Sequence, residues 1–168
     1  MRTIVDQIRD YSAYHRDGRN KLTHFIGVPL IIYALLVALG WFRFVAPELL
    51  PFPLTAATLF LLGVTMYYAK LDLGLALGQL PFSLALLYAA EQTSTLPFRT
   101  SVAACGATFV GGWIIQLIGH AFEGRRPALV DNLLQVFNAP LFLLVEVLFA
   151  LGLRQSLRAQ VAEPLSPH

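Results

Sequence analysis

The chain has 168 residues, of which 57% are hydrophobic and 13% charged, with a mean hydropathy of +0.64. That balance excludes an ordinary soluble domain and predicts an integral membrane protein with room for about four or five spans of roughly 20 residues each. The net charge of +2 is small and scattered, which excludes nucleic acid as a partner.

Ile4, Ile8, Tyr11 and His15 recur at spacings of four, three and four, so they share one helix face, while Arg2, Asp6, Arg9 and Asp10 lie largely off it. This predicts an amphipathic helix on the membrane surface. The same charges interrupt any cleavable signal pattern. The stretch "RDGRN" (16–20) breaks the helix: Asp17-Gly18 is turn chemistry, and Asn20 is expected to cap a first span running from about Leu22 to Phe44. The proline-rich "APELLPFP" (46–53) separates it from a second span, about Leu54 to Tyr68, and "KLDLG" (70–74) is the next polar break. A third span follows to about Ala90. The polar "EQTSTLPFRTS" (91–101) reads as a loop and Val102 to Gly119 as the fourth span, in which the single Cys105 is a packing residue. Beyond the polar "HAFEGRRPALVDN" (120–132), the segment Leu133 to Leu153 is interrupted by Asn138 and Pro140 and carries Glu146, which predicts a broken or re-entrant last helix. The expected architecture is an all-α helical bundle forming one membrane-embedded domain over residues 1–168.

With the N-terminus in the cytoplasm, the inner side collects Arg2, Arg9, Arg16, Arg19, Lys21, Lys70, Arg125 and Arg126, against Arg43 and Arg99 outside. An even number of crossings then puts His15, His24, His120 and the Asp72 turn at one cytoplasmic face. His168 is set aside as terminal tail. Arginine outnumbers lysine ten to two, and with abundant Ala and Leu this favours a bacterial inner membrane over an endoplasmic reticulum.

Three histidines at one membrane depth suggest a metal, because neutral imidazole is a ligand for iron, copper and zinc. Gln116, His120 and Glu123 follow spacings of four and three, so they share a face if the fourth helix continues. His15 and His24, nine residues apart, would oppose each other on an unbroken helix, but the Asp17-Gly18 turn lets the surface helix fold back. The bland alternative is a set of interfacial histidines, and spacing alone leaves zinc and iron tied. Two rival functions stand at this point, a zinc-dependent membrane hydrolase of lipid amides and a non-enzymatic membrane adaptor. The sequence fixes no oligomeric state.

"YSAYHRDGRNKLTHFIGVP" (11–29) and "WIIQLIGHAFEGRRPALVDNLLQVFNAPLFLLVEVLF" (113–149) resemble the two signature blocks of the 2-hydroxy fatty acid dioxygenases of phytosphingosine breakdown. The resemblance implies a membrane-embedded Fe(II)-dependent enzyme that uses O2 to shorten a 2-hydroxy fatty acid by one carbon. It implies His15, His24 and His120 as the iron ligands. Glu123 is the preferred carboxylate of the site, with Asp72 and Asp131 behind it; the competing role for Glu123 is an ion pair with Arg126. Arg125, Arg126 and Asn20 are assigned to substrate binding, although paired arginines at the end of a span also serve as topology markers. Tyr11 and Tyr14 are expected as interfacial anchors. Gln116, Asn132 and Gln135 either support the histidines or join helices.

Overall fold

The computed structural model describes residues 3–44, 54–124 and 135–163. Among these, the regular elements are seven helices: α1 Ile4–Tyr14, α2 Gly18–Gly40, α3 Ala56–Leu71, α4 Leu73–Ser94, α5 Phe98–Glu123, α6 Gln135–Ala150 and α7 Gln155–Ala162. Helices α2, α4 and α5 are each long and apolar enough to span a membrane, and α3 is a shorter apolar helix. At 1.5 Å per residue α3 is about 24 Å long, and an isolated bridge between Arg43 and Thr55 precedes it. Phe44 donates to the Leu54 carbonyl and Ala56 to that of Phe42, which ties the C-terminal end of α2 to the N-terminal end of α3.

Helix α1 starts with a capping box. The Thr3 hydroxyl accepts from the Asp6 amide at 3.2 Å and the Asp6 carboxylate accepts from the Thr3 amide at 3.0 Å. Its apolar stripe is buried, with Ile8, Tyr11 and His15 each 5% exposed or less, because the stripe packs on α6 and α7. Tyr11 is therefore a core residue rather than the expected interfacial anchor; its ring stacks on that of His15 at 4.1 Å.

Asp17, not Asn20, caps α2. Its side chain accepts from the Arg19 amide at 2.8 Å and closes the helix three residues earlier than expected, so Asn20 lies inside the first turn and is fully buried. The Arg19 guanidinium beside it holds the Asp17 carboxyl down at about 2.

Helices α2 and α5 run antiparallel along most of their length. Their backbones meet at glycines: a Cβ on Gly27 would lie 2.9 Å from the Gly112 carbonyl oxygen, and one on Gly119 would overlap the Thr23 hydroxyl. Such small-residue contacts drive helix association where lipid removes the hydrophobic force between helices. At the far end the Trp41 indole donates to the Ser101 hydroxyl at 2.8 Å, and the Cys105 thiol packs at 3.3 Å from the Ala34 carbonyl. Gly27→Ala is expected to destabilise the bundle by about 1–3 kcal/mol through overpacking against backbone that cannot give way. Thermal unfolding in detergent checks this, with Gly111→Ala, where a Cβ meets open space, as the control.

The polar stretch 91–101 is mostly helix, with only 95–97 left between α4 and α5. Glu91, Thr93, Ser94 and Ser101 find partners elsewhere in the bundle instead of needing a loop. Glu91 accepts from Thr55 and from Arg43 at 3.1 Å, and Thr93 bonds the Tyr33 hydroxyl at 2.6 Å.

Helices α6 and α7 form the bent last segment, with 113° between them. Phe137, near the start of α6, faces Phe60 of α3 at 6.1 Å. Further along, Glu146 pairs with Lys21 at the start of α2, and Arg154 pairs with Asp72 at the α3–α4 turn. Among the described residues the segment therefore runs from beside α3 to the rim from which α2 and α4 start; α6 continues unbroken through Asn138 and Pro140, and the bend falls instead at 151–154, where Gly152 and Arg154 take positive φ.

Candidate metal centre

The turn between α1 and α2 and the C-terminal end of α5 bring His15, His24 and His120 together. One ring nitrogen from each lies within 4.8 Å of the others, and the side chains are 1%, 2% and 6% exposed. The first two rings are oriented by main chain: His15 Nδ1 is 2.8 Å from the Tyr11 carbonyl and His24 Nδ1 is 2.9 Å from the Asn20 carbonyl. A carbonyl only accepts, so both Nδ1 atoms carry the proton and both Nε2 atoms present a lone pair. Those two Nε2 atoms stand 3.0 Å apart. Two lone pairs at that distance repel unless a proton or another cation is shared between them.

A proton is disfavoured at this spot. Burial pushes His15 down to about 4, with the Tyr11 carbonyl opposing and the neighbouring His120 adding to the shift. The third member, His120, has a buried Nδ1 with no hydrogen-bond partner among the described residues. Facing lone pairs, an unpartnered third imidazole and second nitrogens held by carbonyls form a donor set that fits a metal cation.

The depressed His15 value carries a pH consequence. The unfolded chain binds this proton near 6.5 and the folded, metal-free chain only near 4. Between those values the unfolded state holds more protons, so stability rises with pH there. The contribution is complete above about 6.5 and is lost as pH falls toward 4. The unfolding midpoint of metal-free protein is expected to drop across that window, and to drop less in a His15→Gln variant.

Glu123, at the same end of α5, faces the α1–α2 turn. One carboxylate oxygen accepts from the Arg16 amide at 2.9 Å, and the other from the Asp17 amide at 2.9 Å and the Asn20 side-chain amide at 3.1 Å. It therefore clasps the α1–α2 turn that carries His15 to the cluster. Among the described residues the metal-capable cluster contains the three histidines and no carboxylate. Asp72 is committed elsewhere, capping α4 through the Leu75 amide at 2.9 Å and pairing with Arg154. Asn20 is sealed beneath Glu123, and Gln116 packs against Gly27. Arg125, Arg126, Asp131, Asn132, His168 and the Gln135 side chain lie outside the described residues.

Two features went unread in the sequence. Phe142, fully buried, roofs the cluster, its ring 4.7 Å from that of Tyr11 and 5.7 Å from that of His15. Lys21, three residues before His24, pairs with Glu146 at 2.8 Å. A carboxylate inside an apolar segment signalled that a partner was needed, but no local spacing named Lys21.

The fold and the cluster together define a helical membrane protein with a buried tri-histidine centre at one end of its bundle. Over residues 1–151 the chain matches the family model described as Mpo1-like, 2-hydroxy-palmitic acid dioxygenase Mpo1-like. It is 34% identical over 167 residues to the 2-hydroxy-palmitic acid dioxygenase MPO1 of Saccharomyces cerevisiae, a match covering 96% of this chain and 89% of the yeast protein. No solved structure matches. The chain belongs to the Mpo1-like family of 2-hydroxy-palmitic acid dioxygenases.

Proposed function

We propose that this protein is an Fe(II)-dependent dioxygenase that shortens 2-hydroxy fatty acids by one carbon. The observation that carries the reading is the pair of Nε2 atoms 3.0 Å apart, their protons held on the opposite nitrogens, in a chain of this family. The overall reaction balances without a further reductant. One 2-hydroxy acid and one O2 give the acid one carbon shorter, carbon dioxide and water. Iron supplies the redox chemistry that couples O2 to the hydroxy acid, which zinc on the same ligands could not do because it has no accessible second oxidation state.

His15, His24 and His120 hold the ion. The Tyr11 and Asn20 carbonyls fix the first two rings, and the Tyr11 and Phe142 rings keep bulk water from that side. Glu123 and Asn20 act as positioning residues through the turn they hold. Arg125 and Arg126 follow α5 in sequence and attract the substrate carboxylate at the rim. The Lys and Arg bias makes that rim cytoplasmic, in a bacterial inner membrane, with both termini inside.

Protein purified in detergent without added metal is expected to contain iron and to consume 2-hydroxy fatty acid and O2 in equal amounts, with no consumption under anaerobic conditions. Bound zinc with oxygen-independent cleavage of a lipid amide would replace this reading with the hydrolase.

A further inference from the structure

We infer that the substrate's acyl chain lies in two adjoining apolar cavities between α2, α4 and α6, and that Ser83 and Leu86 set the chain length accepted. The inference rests on the dioxygenase reading for the identity of the substrate. The first cavity, about 270 Å³, is walled by Val28, Pro29, Gln79, Phe82, Pro140 and Leu143 among others. The second, about 130 Å³, lies against Ile32, Leu36, Phe60, Ser83, Leu86 and Phe137. Gln79, Phe82 and Pro140 border both.

The cavities have a cause in the sequence. Pro29 and Pro140 sit inside their helices, where each lacks an amide proton and its ring crowds the preceding turn. Gly78 offers no side chain to fill the space opposite Leu144, which a Cβ would approach to 3.3 Å.

The cavities are also aligned with the metal centre. His24, Val28, Ile32 and Leu36 follow one another every four residues along α2, so the path from the cluster to the far cavity runs about 18 Å. Val28 belongs to the first cavity, and Ile32 and Leu36 to the second. On the opposite wall Leu143 adjoins Phe142, whose ring packs on His15. A chain with its head at the histidines and its tail along this row would pass through both spaces in order.

Gln79 decides between a substrate and a bilayer lipid as occupant. Helices α2 and α4 run parallel and in step, since Gly40 and Ser94 meet near their far ends and His24 and Gln79 are each the seventh residue of their helix. Gln79, a residue 6% exposed, therefore stands at the helix level of His24 and borders both cavities. Its amide is a polar group in an otherwise apolar wall, which suits a ligand with a polar atom at that level and hydrocarbon beyond. A 2-hydroxy acid has that pattern, whereas the tail of a phospholipid is apolar throughout.

The test pairs labelling with a chain-length series. A 2-hydroxy fatty acid carrying a photoreactive diazirine at its terminal carbon is expected to label Leu86 or Phe137 in intact detergent-solubilised protein, and unlabelled 2-hydroxy acid is expected to compete. Because one methylene in an apolar pocket changes kcat/KM by roughly 10-fold or more, Leu86→Trp should cut kcat/KM for long chains at least about tenfold relative to short ones. Leu86→Ala should move the preferred length upward, and Ser83→Leu provides a gentler shortening variant should the tryptophan prevent folding. Labels confined to lipid-facing side chains such as Leu62 and Phe109 would overturn the inference, as would equal competition by phosphatidylcholine vesicles or unchanged length profiles in folded variants. Failure of the dioxygenase reading shows itself separately, as a parent protein that consumes no 2-hydroxy acid under oxygen; competed label at Leu86 would still support the cavity.

Discussion

His120→Ala is expected to abolish oxygen-dependent consumption of 2-hydroxy fatty acid while leaving a folded, membrane-inserted protein. The residue closes the cluster from α5, its Nδ1 is buried without a partner among the described residues, and neither of the other two histidines can substitute for a ligand lost from the opposite helix. Loss of even an outer-shell partner of a metal lowers affinity or activity by about 10- to 100-fold, so loss of a direct ligand should exceed a hundredfold in both bound iron and O2 uptake. The α2–α5 contact at Gly27 and Gly112 does not involve the imidazole, so the helix pair should persist. If His120 were only an interfacial residue the change would cost about 0–1 kcal/mol, and activity within a factor of two of the parent at matched expression would sink the assignment.

Glu123 separates two roles that the sequence left together. As a clasp on the α1–α2 turn it accepts three hydrogen bonds, and those to a charged acceptor are worth about 1.5–3 kcal/mol each when buried, less at this half-buried position. Glu123→Gln keeps the size but turns an amide N–H toward groups that are themselves donors, so the turn loosens and His15 leaves its place. The expected result is a roughly 10- to 100-fold weaker hold on iron, with activity restored by excess Fe(II). His120→Ala should show no such rescue. Were Glu123 instead a direct participant in the chemistry, added iron would leave Glu123→Gln inactive, and that outcome would remove the clasp from the mechanism.

The helices were legible because apolar runs and their polar breaks are local properties of the chain. So was the fold-back at Asp17-Gly18, since turn chemistry is local too. The errors share one physical source. Asn20, Tyr11 and the stretch 91–101 were read from residue type as cap, anchor and loop, but each polar group has a partner more than 30 residues away or lies against a surface the one-dimensional pattern cannot show. Glu123 at Asn20, Thr93 at Tyr33 and Phe142 at Tyr11 are such contacts. The meeting of the three histidines was visible as a shared membrane depth, whereas their tautomers and the 3.0 Å approach depend on two backbone carbonyls that no side-chain motif announces.

The order in which the ligands occur along the chain also fixes the order in which the centre can be built. His15 and His24 leave the ribosome nine residues apart and can pair as soon as the first helix has turned into the bilayer. His120 follows almost a hundred residues later, at the C-terminal end of α5, and the Phe142 roof later still. A metal ion captured early would therefore wait on two ligands, open to exchange, until three further helices had been threaded. The completed centre is a late product of membrane insertion, and a nascent chain halted before α5 would bind metal weakly and without its roof.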